Sequence, residues 1–155
     1  MNDVVINKIQ TIQRCIARAR EEFEKAGDDF DTDYTRQDAA ILNLLRACEQ
    51  TIDLANHVIR TYKMGIPVSS AESFLLLASQ SVIDREMAIR LGKMVQFRNI
   101  VIHEYRKTNI GIVKNVIYCF NFGFLWHKNC LPSETCFFSL SERFFRSERM
   151  IFFRF

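Results

Sequence analysis

The chain has 155 residues, of which 48% are hydrophobic and 25% are charged, so it has the size and composition of one globular domain. Its 21 Lys and Arg residues against 18 Asp and Glu residues give a net charge of +3. That charge is too small to indicate a nucleic-acid partner through bulk electrostatics, so the case for one depends on local residues. No apolar stretch approaches the ~18 residues of a membrane span, so we expect no membrane-spanning segment.

The cysteines and histidines do not have the sequence spacing of a metal site or of a disulfide framework. The five cysteines include no C-x-x-C pair, and the sequence does not open with the layout of an export signal, which predicts reduced thiols and a cytoplasmic protein. The three histidines, His57, His103 and His127, lie far apart, and the acidic residues at 28–33 lack the glycine and glutamate positions of a calcium loop. We therefore expect no metal and no cofactor.

Helical periodicity dominates residues 1–118. Apolar residues recur at three- and four-residue spacing in five segments, which is typical of amphipathic helices, and no strand pattern competes with them. The predicted N-caps are Thr35 with Asp38, Ser69 with Glu72, Asp84, and Asn109. The second helix is predicted to end near Met64, because Gly65 suits a C′ position and Pro67 cannot continue a helix. The prediction is an all-α antiparallel bundle of five helices.

Residues 119–155 differ abruptly from the rest of the chain. Ten of the 14 phenylalanines and three of the five cysteines lie there, without a clean helical or strand pattern. Two explanations stay open, namely a natural aromatic tail that docks on the bundle or on a partner, and a frameshift that left an unselected tail. A third alternative makes the tail a segment that lies on a membrane surface.

The segment 98–105, near the end of the predicted fourth helix, carries an Arg, an Asn, a His and a Tyr among aliphatic residues. An arginine can bind a phosphate through two parallel hydrogen bonds, and a histidine takes and gives protons near neutrality, so the two suit metal-free RNA cleavage. On an ideal helix Arg98 and His103 diverge by roughly 140°. The two side chains can meet at one phosphate only if the helix end is irregular or if two copies of the chain meet, and we favour a homodimer.

The Arg-x4-His-x-Tyr arrangement resembles the HEPN superfamily, and more specifically the HepT-like toxins of MNT–HEPN toxin–antitoxin modules. Flanking stretches continue the resemblance over about residues 1–118, while the tail departs from it. These stretches lie at 1–9, 37–44, 48–49, 53–57, 65–67, 73–74 and 94–99.

The resemblance implies the toxin of a type VII-like module, a metal-independent endoribonuclease acting on mRNA or tRNA, with a composite active site at a homodimer interface. It implies that His103 acts as general acid or base, that Arg98 binds the scissile phosphate, and that Asn99 orients either the imidazole or the phosphate. The implied antitoxin is an MNT-type nucleotidyltransferase that silences the toxin by transferring AMP to Tyr105, where added bulk and negative charge would exclude RNA.

Simpler interpretations stand beside these. The chain could be a non-catalytic α-helical module that binds a nucleotide or a nucleotidyltransferase, with His103 solvated and Arg98 paired with Glu104. His57 is better explained as a packing histidine. A group of basic residues, Arg14, Arg18 and Arg20, indicates the solvent side of the first helix, and would extend an RNA groove if that helix borders the dimer axis.

Overall fold

The computed structural model describes residues 3–103 and 109–121, with side chains as far as Tyr118. The helices are α1 (Asp3–Ala26), α2 (Tyr34–Thr61), α3 (Ser70–Ser79), α4 (Arg85–His103) and α5 (Ile110–Asn121), with a 3-10 helix (Gly27–Asp31) between α1 and α2. These residues contain no strand, which confirms the predicted all-α fold with five helices. Among them, no helix is both long and apolar enough to cross a bilayer. The predictions for the tail beyond α5 lie outside the described residues.

Helices α1 and α2 form an antiparallel pair with two hydrophobic clusters along it. One cluster joins the start of α1 to the end of α2, and adds α3 and the first half of α4. Its buried members include Val5, Ile12, Ile59, Phe74, Leu77 and Leu91. The second joins the end of α1 to the start of α2, and adds the end of α4 and α5. Its buried members include Ala19, Phe30, Ile41, Leu44, Val101, Val113 and Ile117.

Helix α4 passes from the first cluster into the second, with Met94 packed against both. Phe97 and Val101 are buried on its inner side, beside the first half of α2 and α5. The segment 98–103 is therefore fixed by apolar packing on one side, while the rest of the helix surface exposes Asn99 and His103 together with Ile100 and Ile102.

Local hydrogen bonds confirm three of the predicted helix starts. The Ser69 hydroxyl accepts from the Glu72 amide at 3.2 Å, and the Asp84 carboxylate accepts from the Met87 amide at 2.7 Å. The Asn109 side chain accepts from the amide of Gly111 at 2.8 Å at the start of α5. Each satisfies an amide that has no partner within the first turn of its helix.

The start and the end of α2 differ from prediction. The N-cap is Asp33, not Thr35, and its carboxylate accepts from the Arg36 amide at 3.0 Å. At the other end the helix stops at Thr61, and Lys63 rather than Gly65 takes the left-handed C′ position with φ of 52°. The Met64 amide donates to the Ile59 carbonyl at 3.0 Å, as the Schellman motif requires.

Candidate active site

The predicted catalytic residues lie on the last two turns of α4. The helix is regular through His103, so the alternative of an irregular helix end is wrong for the stretch between Arg98 and His103. Arg98 is half-buried and points toward α2, whereas Asn99 and His103 are exposed. The structure thus places Arg98 beside Asn99 but not beside His103, as the calculated divergence of roughly 140° predicts for a single chain.

Arg98 is held by Glu49, a residue of α2 that sequence reasoning did not select. The Arg98 Nε donates to Glu49 Oε1 at 2.6 Å, Nη2 contacts the same oxygen, and Nη1 donates to Asn99 Oδ1 at 3.1 Å. The suggested pairing of Arg98 with Glu104 stays untested, because Glu104 lies outside the described residues. The only signal for Glu49 was its place in a stretch similar to the family, and that stretch did not indicate a contact with Arg98.

These contacts leave a phosphate-binding edge on Arg98. A guanidinium has five N–H donors, and three of them are used by contacts with the described residues. Within the part of the chain that the structure describes, one donor remains on each terminal nitrogen, Nη1 and Nη2, and this edge of the guanidinium can donate to a phosphate or carboxylate. Glu49 therefore fixes the orientation of the guanidinium without occupying this edge.

A buried thiol lies next to Glu49 on α2. Burial raises the pKa of Cys48 to about 12, and the neighbouring Glu49 carboxylate adds to that effect. A thiol of that pKa stays protonated near neutrality and is a poor nucleophile. Cys48 therefore belongs to the packing behind the site and has no part in its chemistry.

Three further predictions concern Tyr105, a metal site and His57. Tyr105, the candidate for modification by AMP, lies outside the described residues, so its role stays a prediction. The described residues contain no cluster of His, Cys, Asp or Glu suited to hold a metal ion. His57 is half-buried near the end of α2, away from the motif in sequence.

A cleft of about 590 Å³ opens between α1 and α2 and has Glu49 as part of its wall. Arg14 and Arg18 of α1 and Arg46 of α2 also line it. Arg20 is absent from this cleft and is half-buried, with its pKa lowered by that burial. The predicted solvent-facing set on α1 is thus correct for Arg14 and Arg18 and wrong for Arg20.

Comparisons with known proteins identify the family of the chain. The family described as ribonuclease HepT-like matches residues 12–118. An mRNA nuclease HepT from Shewanella oneidensis is 48% identical over 117 residues, which are 76% of this chain and 87% of the relative. The tri-AMPylated HEPN toxin of Shewanella oneidensis, solved in complex with MNT antitoxin, is 47% identical with a TM-score of 0.71, over 76% of this chain and 87% of that one.

A second solved structure, a toxin–antitoxin with AMP-PNP, is 46% identical with a TM-score of 0.71 and covers 76% of this chain and 88% of that chain. The family match runs from the middle of α1 into α5, so it includes both helices that contribute Arg98 and Glu49. It ends at residue 118, where the composition of the sequence changes. On its motif, its fold and these matches, the chain belongs to the HepT-like ribonuclease family.

Proposed function

We propose that this chain is the toxin of a type VII-like MNT–HEPN module, and that it cleaves RNA without a metal at a site completed by two copies of the chain. The observation that carries the proposal is the Arg98–Glu49 pair, which orients a guanidinium on the same helix that presents His103 to solvent. The relative described as an mRNA nuclease supports mRNA as the substrate, and the cytoplasm is where such a toxin would act.

The proposed reaction is an intramolecular transesterification, in which the phosphorus exchanges its bond to the 5′-oxygen for a bond to the 2′-oxygen. A His103 imidazole removes the proton from a ribose 2′-hydroxyl, and the 2′-oxygen attacks the adjacent phosphorus. The bond to the 5′-oxygen breaks, and that oxygen receives a proton from an imidazolium. The products are a 2′,3′-cyclic phosphate and a 5′-hydroxyl. Arg98 donates to the phosphate oxygens through its free edge and stabilises the charge that builds on them, while Asn99 supports the guanidinium.

A homodimer would bring together the arginine and the histidine that one chain keeps apart. Because Arg98 and His103 face different directions on α4, a second copy has to deliver the imidazole that acts on the phosphate held by Arg98. The exposed surface near the end of α4 supports this arrangement, since Ile100 and Ile102 keep 51% and 47% of their surface accessible beside the exposed His103. Apolar side chains of that kind are suited to pairing around a two-fold axis.

The proposed partner is an MNT-type nucleotidyltransferase that transfers AMP to Tyr105. In sequence this tyrosine follows His103 by two residues, so an adenylyl group would bring negative charge close to the place where the RNA phosphate sits. The similar toxin from Shewanella oneidensis is described as tri-AMPylated and in complex with MNT antitoxin, which supports both the partner and the modification.

The decisive experiment is RNA cleavage by the purified protein in EDTA, with analysis of the 3′ ends. We expect cyclic phosphate ends from the wild-type protein and loss of cleavage in His103→Ala, whose side chain is exposed, so that the helical circular dichroism is retained. The matched control is His57→Gln, which changes a histidine outside the motif. If His103→Ala still cleaves, the catalytic assignment is wrong. If the wild-type protein binds its nucleotidyltransferase but never cuts RNA, the non-catalytic module is correct instead.

The modification is tested separately by the intact mass of the chain after production with its nucleotidyltransferase. We expect added AMP on the peptide that contains Tyr105, and none in Tyr105→Phe. Because three other tyrosines are present, peptide mapping must assign the position. AMP on another tyrosine alone would contradict the role proposed for Tyr105.

A further inference from the structure

The cleft between α1 and α2 is lined by arginines from both helices, together with amide and apolar side chains. Its lining includes Arg14 and Arg18 of α1 and Asn43, Arg46, Glu49 and Gln50 of α2. Residues three or four apart on a helix share a face, so each helix contributes a row of side chains to this one cleft. The amides of Asn43 and Gln50 add groups that can both donate and accept hydrogen bonds.

Some of the charged side chains in the cleft form ion pairs, and others do not. Arg18 is paired with Glu21 at 2.9 Å and with Glu22 at 2.8 Å, and Glu49 is paired with Arg98. Arg14 and Arg46 are exposed and form no ion pair within the part of the chain that the structure describes. The cleft therefore presents two positive charges that no carboxylate neutralises, on opposite walls, which suits a polyanion.

The cleft and the Arg98 site share one residue, Glu49. Glu49 forms part of the wall of the cleft and also holds the Arg98 guanidinium. Arg46 precedes Glu49 by three residues, so it lies about 5 Å along the axis of α2 from the carboxylate that positions Arg98. A strand whose phosphate is bound at Arg98 can therefore continue along α2 toward Arg46 and Arg14.

We propose that this cleft is a substrate subsite that binds backbone phosphates of a single-stranded RNA next to the scissile phosphate, with Arg14 and Arg46 as its phosphate ligands. The inference rests on the proposed ribonuclease function and extends it, because it states where the flanking RNA lies. A single strand fits better than a duplex, since the amides of Asn43 and Gln50 can hydrogen-bond the bases and ribose hydroxyls that an unpaired strand exposes. Binding there would raise affinity without taking part in bond cleavage.

The test is the double variant Arg14→Gln/Arg46→Gln against the control Arg60→Gln/Arg85→Gln. The control removes the same charge from exposed arginines that lie outside the cleft, at the end of α2 and the start of α4. Steady-state cleavage of a single-stranded RNA gives kcat and KM. Binding of the same RNA is followed by fluorescence anisotropy at several NaCl concentrations, with both pairs placed in the His103→Ala chain so that the RNA stays intact.

We expect the cleft variant to raise KM and Kd roughly tenfold and to leave kcat within about twofold. The slope of log K against log salt should become shallower by about 1.4, since each lost phosphate contact to a single strand removes about 0.7. The control should match the wild-type chain in KM and slope. The two variants should also unfold at similar temperatures, because all four side chains have no described ion pair to lose.

Three other results would overturn the subsite. Equal KM and equal salt slopes for cleft variant and control, in a chain that cleaves RNA, would contradict the subsite and leave the proposed function intact. Loss of affinity for the nucleotidyltransferase with unchanged RNA affinity would make the cleft a protein-docking surface. A wild-type chain that neither cleaves nor binds RNA would contradict the proposed function and the subsite together.

Discussion

The Arg98 guanidinium on α4 is anchored to the Glu49 carboxylate on α2, with Nε 2.6 Å from Oε1. The two residues are 49 positions apart in the sequence, so only the packing of α4 against α2 brings them together. The pair has two opposite effects on a phosphate ligand. It fixes the guanidinium in one orientation, which favours transition-state contacts, and it places a negative charge near the phosphate, which weakens ground-state binding.

Glu49→Gln separates these two effects. The amide oxygen can still accept a hydrogen bond from Arg98, but a neutral acceptor holds a guanidinium more weakly than a carboxylate does, so we expect kcat to fall about tenfold. Because the negative charge near the phosphate is gone, KM should stay unchanged or decrease. The measurement is steady-state RNA cleavage with both constants resolved. Glu49→Ala, which also removes the acceptor, should lower kcat further without raising KM.

The control for Glu49→Gln is Asp53→Asn, one turn farther along α2. Asp53 is exposed and pairs with Lys8 at 3.3 Å, so this change removes the same charge without touching Arg98. We expect its kcat to match that of the wild-type chain. A Glu49→Ala chain with wild-type kcat would show that Arg98 needs no support from α2.

Much of the helical framework could be predicted from sequence because its signals are local. Ser69, Asp84 and Asn109 cap helices through contacts within three residues, and such contacts follow from the residue types in order. The partner of Arg98 could not be predicted in this way. It depends on which face of α2 meets α4, and periodicity assigns a face to each helix but not the register between two helices.

The two errors at the ends of α2 have a common cause. The 3-10 helix Gly27–Asp31 leads directly into α2, so the N-cap position falls at Asp33, two residues before Thr35. The Asp33 carboxylate therefore reaches a free amide of the first turn. At the other end, Lys63 adopts a conformation that glycine takes more easily, because the hydrogen bond from Met64 to Ile59 closes the helix there. In both cases neighbouring structure overrides the preference of a single residue.

Ser69→Ala tests the cap of α3. It removes the acceptor for the Glu72 amide, and we expect the free energy of unfolding to fall by about 1 kcal/mol. Urea or thermal unfolding measures the loss. The control is Ser79→Ala near the end of the same helix, whose hydroxyl donates to the Leu76 carbonyl, and it should change stability by less than about 0.5 kcal/mol. Equal losses in the two variants would contradict the capping role of Ser69.

Glu22→Ala tests a buried carboxylate that pairs with Arg18 on α1 and with Arg36 on α2. The Glu22 carboxylate is buried, with 8% of the side chain exposed, and it lies 2.8 Å from both Arg18 and Arg36. Because both arginines keep solvent contact, we expect a loss of about 1–3 kcal/mol, less than for a fully buried pair. Glu21→Ala, which removes an exposed carboxylate beside it, should leave the unfolding midpoint almost unchanged. Similar midpoints for both variants would show that burial of Glu22 adds nothing.

Cys48 gives the fold an alkaline sensitivity that can be measured. Its pKa is raised from 9.0 to about 12, chiefly by burial, so the folded state favours the protonated thiol. This contribution to stability is complete below the unfolded-state pKa and is lost as the pH rises from about 9 toward 12. We expect the urea midpoint of the wild-type chain to fall more between about pH 8 and pH 10.5 than that of Cys48→Ala, because other titrating groups are common to both.

A second measurement on Cys48 is alkylation of the folded protein followed by peptide mapping, which should leave Cys48 unmodified until urea is added. Equal pH dependence in the two chains, or rapid alkylation of Cys48 in the folded protein, would contradict a closed core behind the Arg98–Glu49 pair.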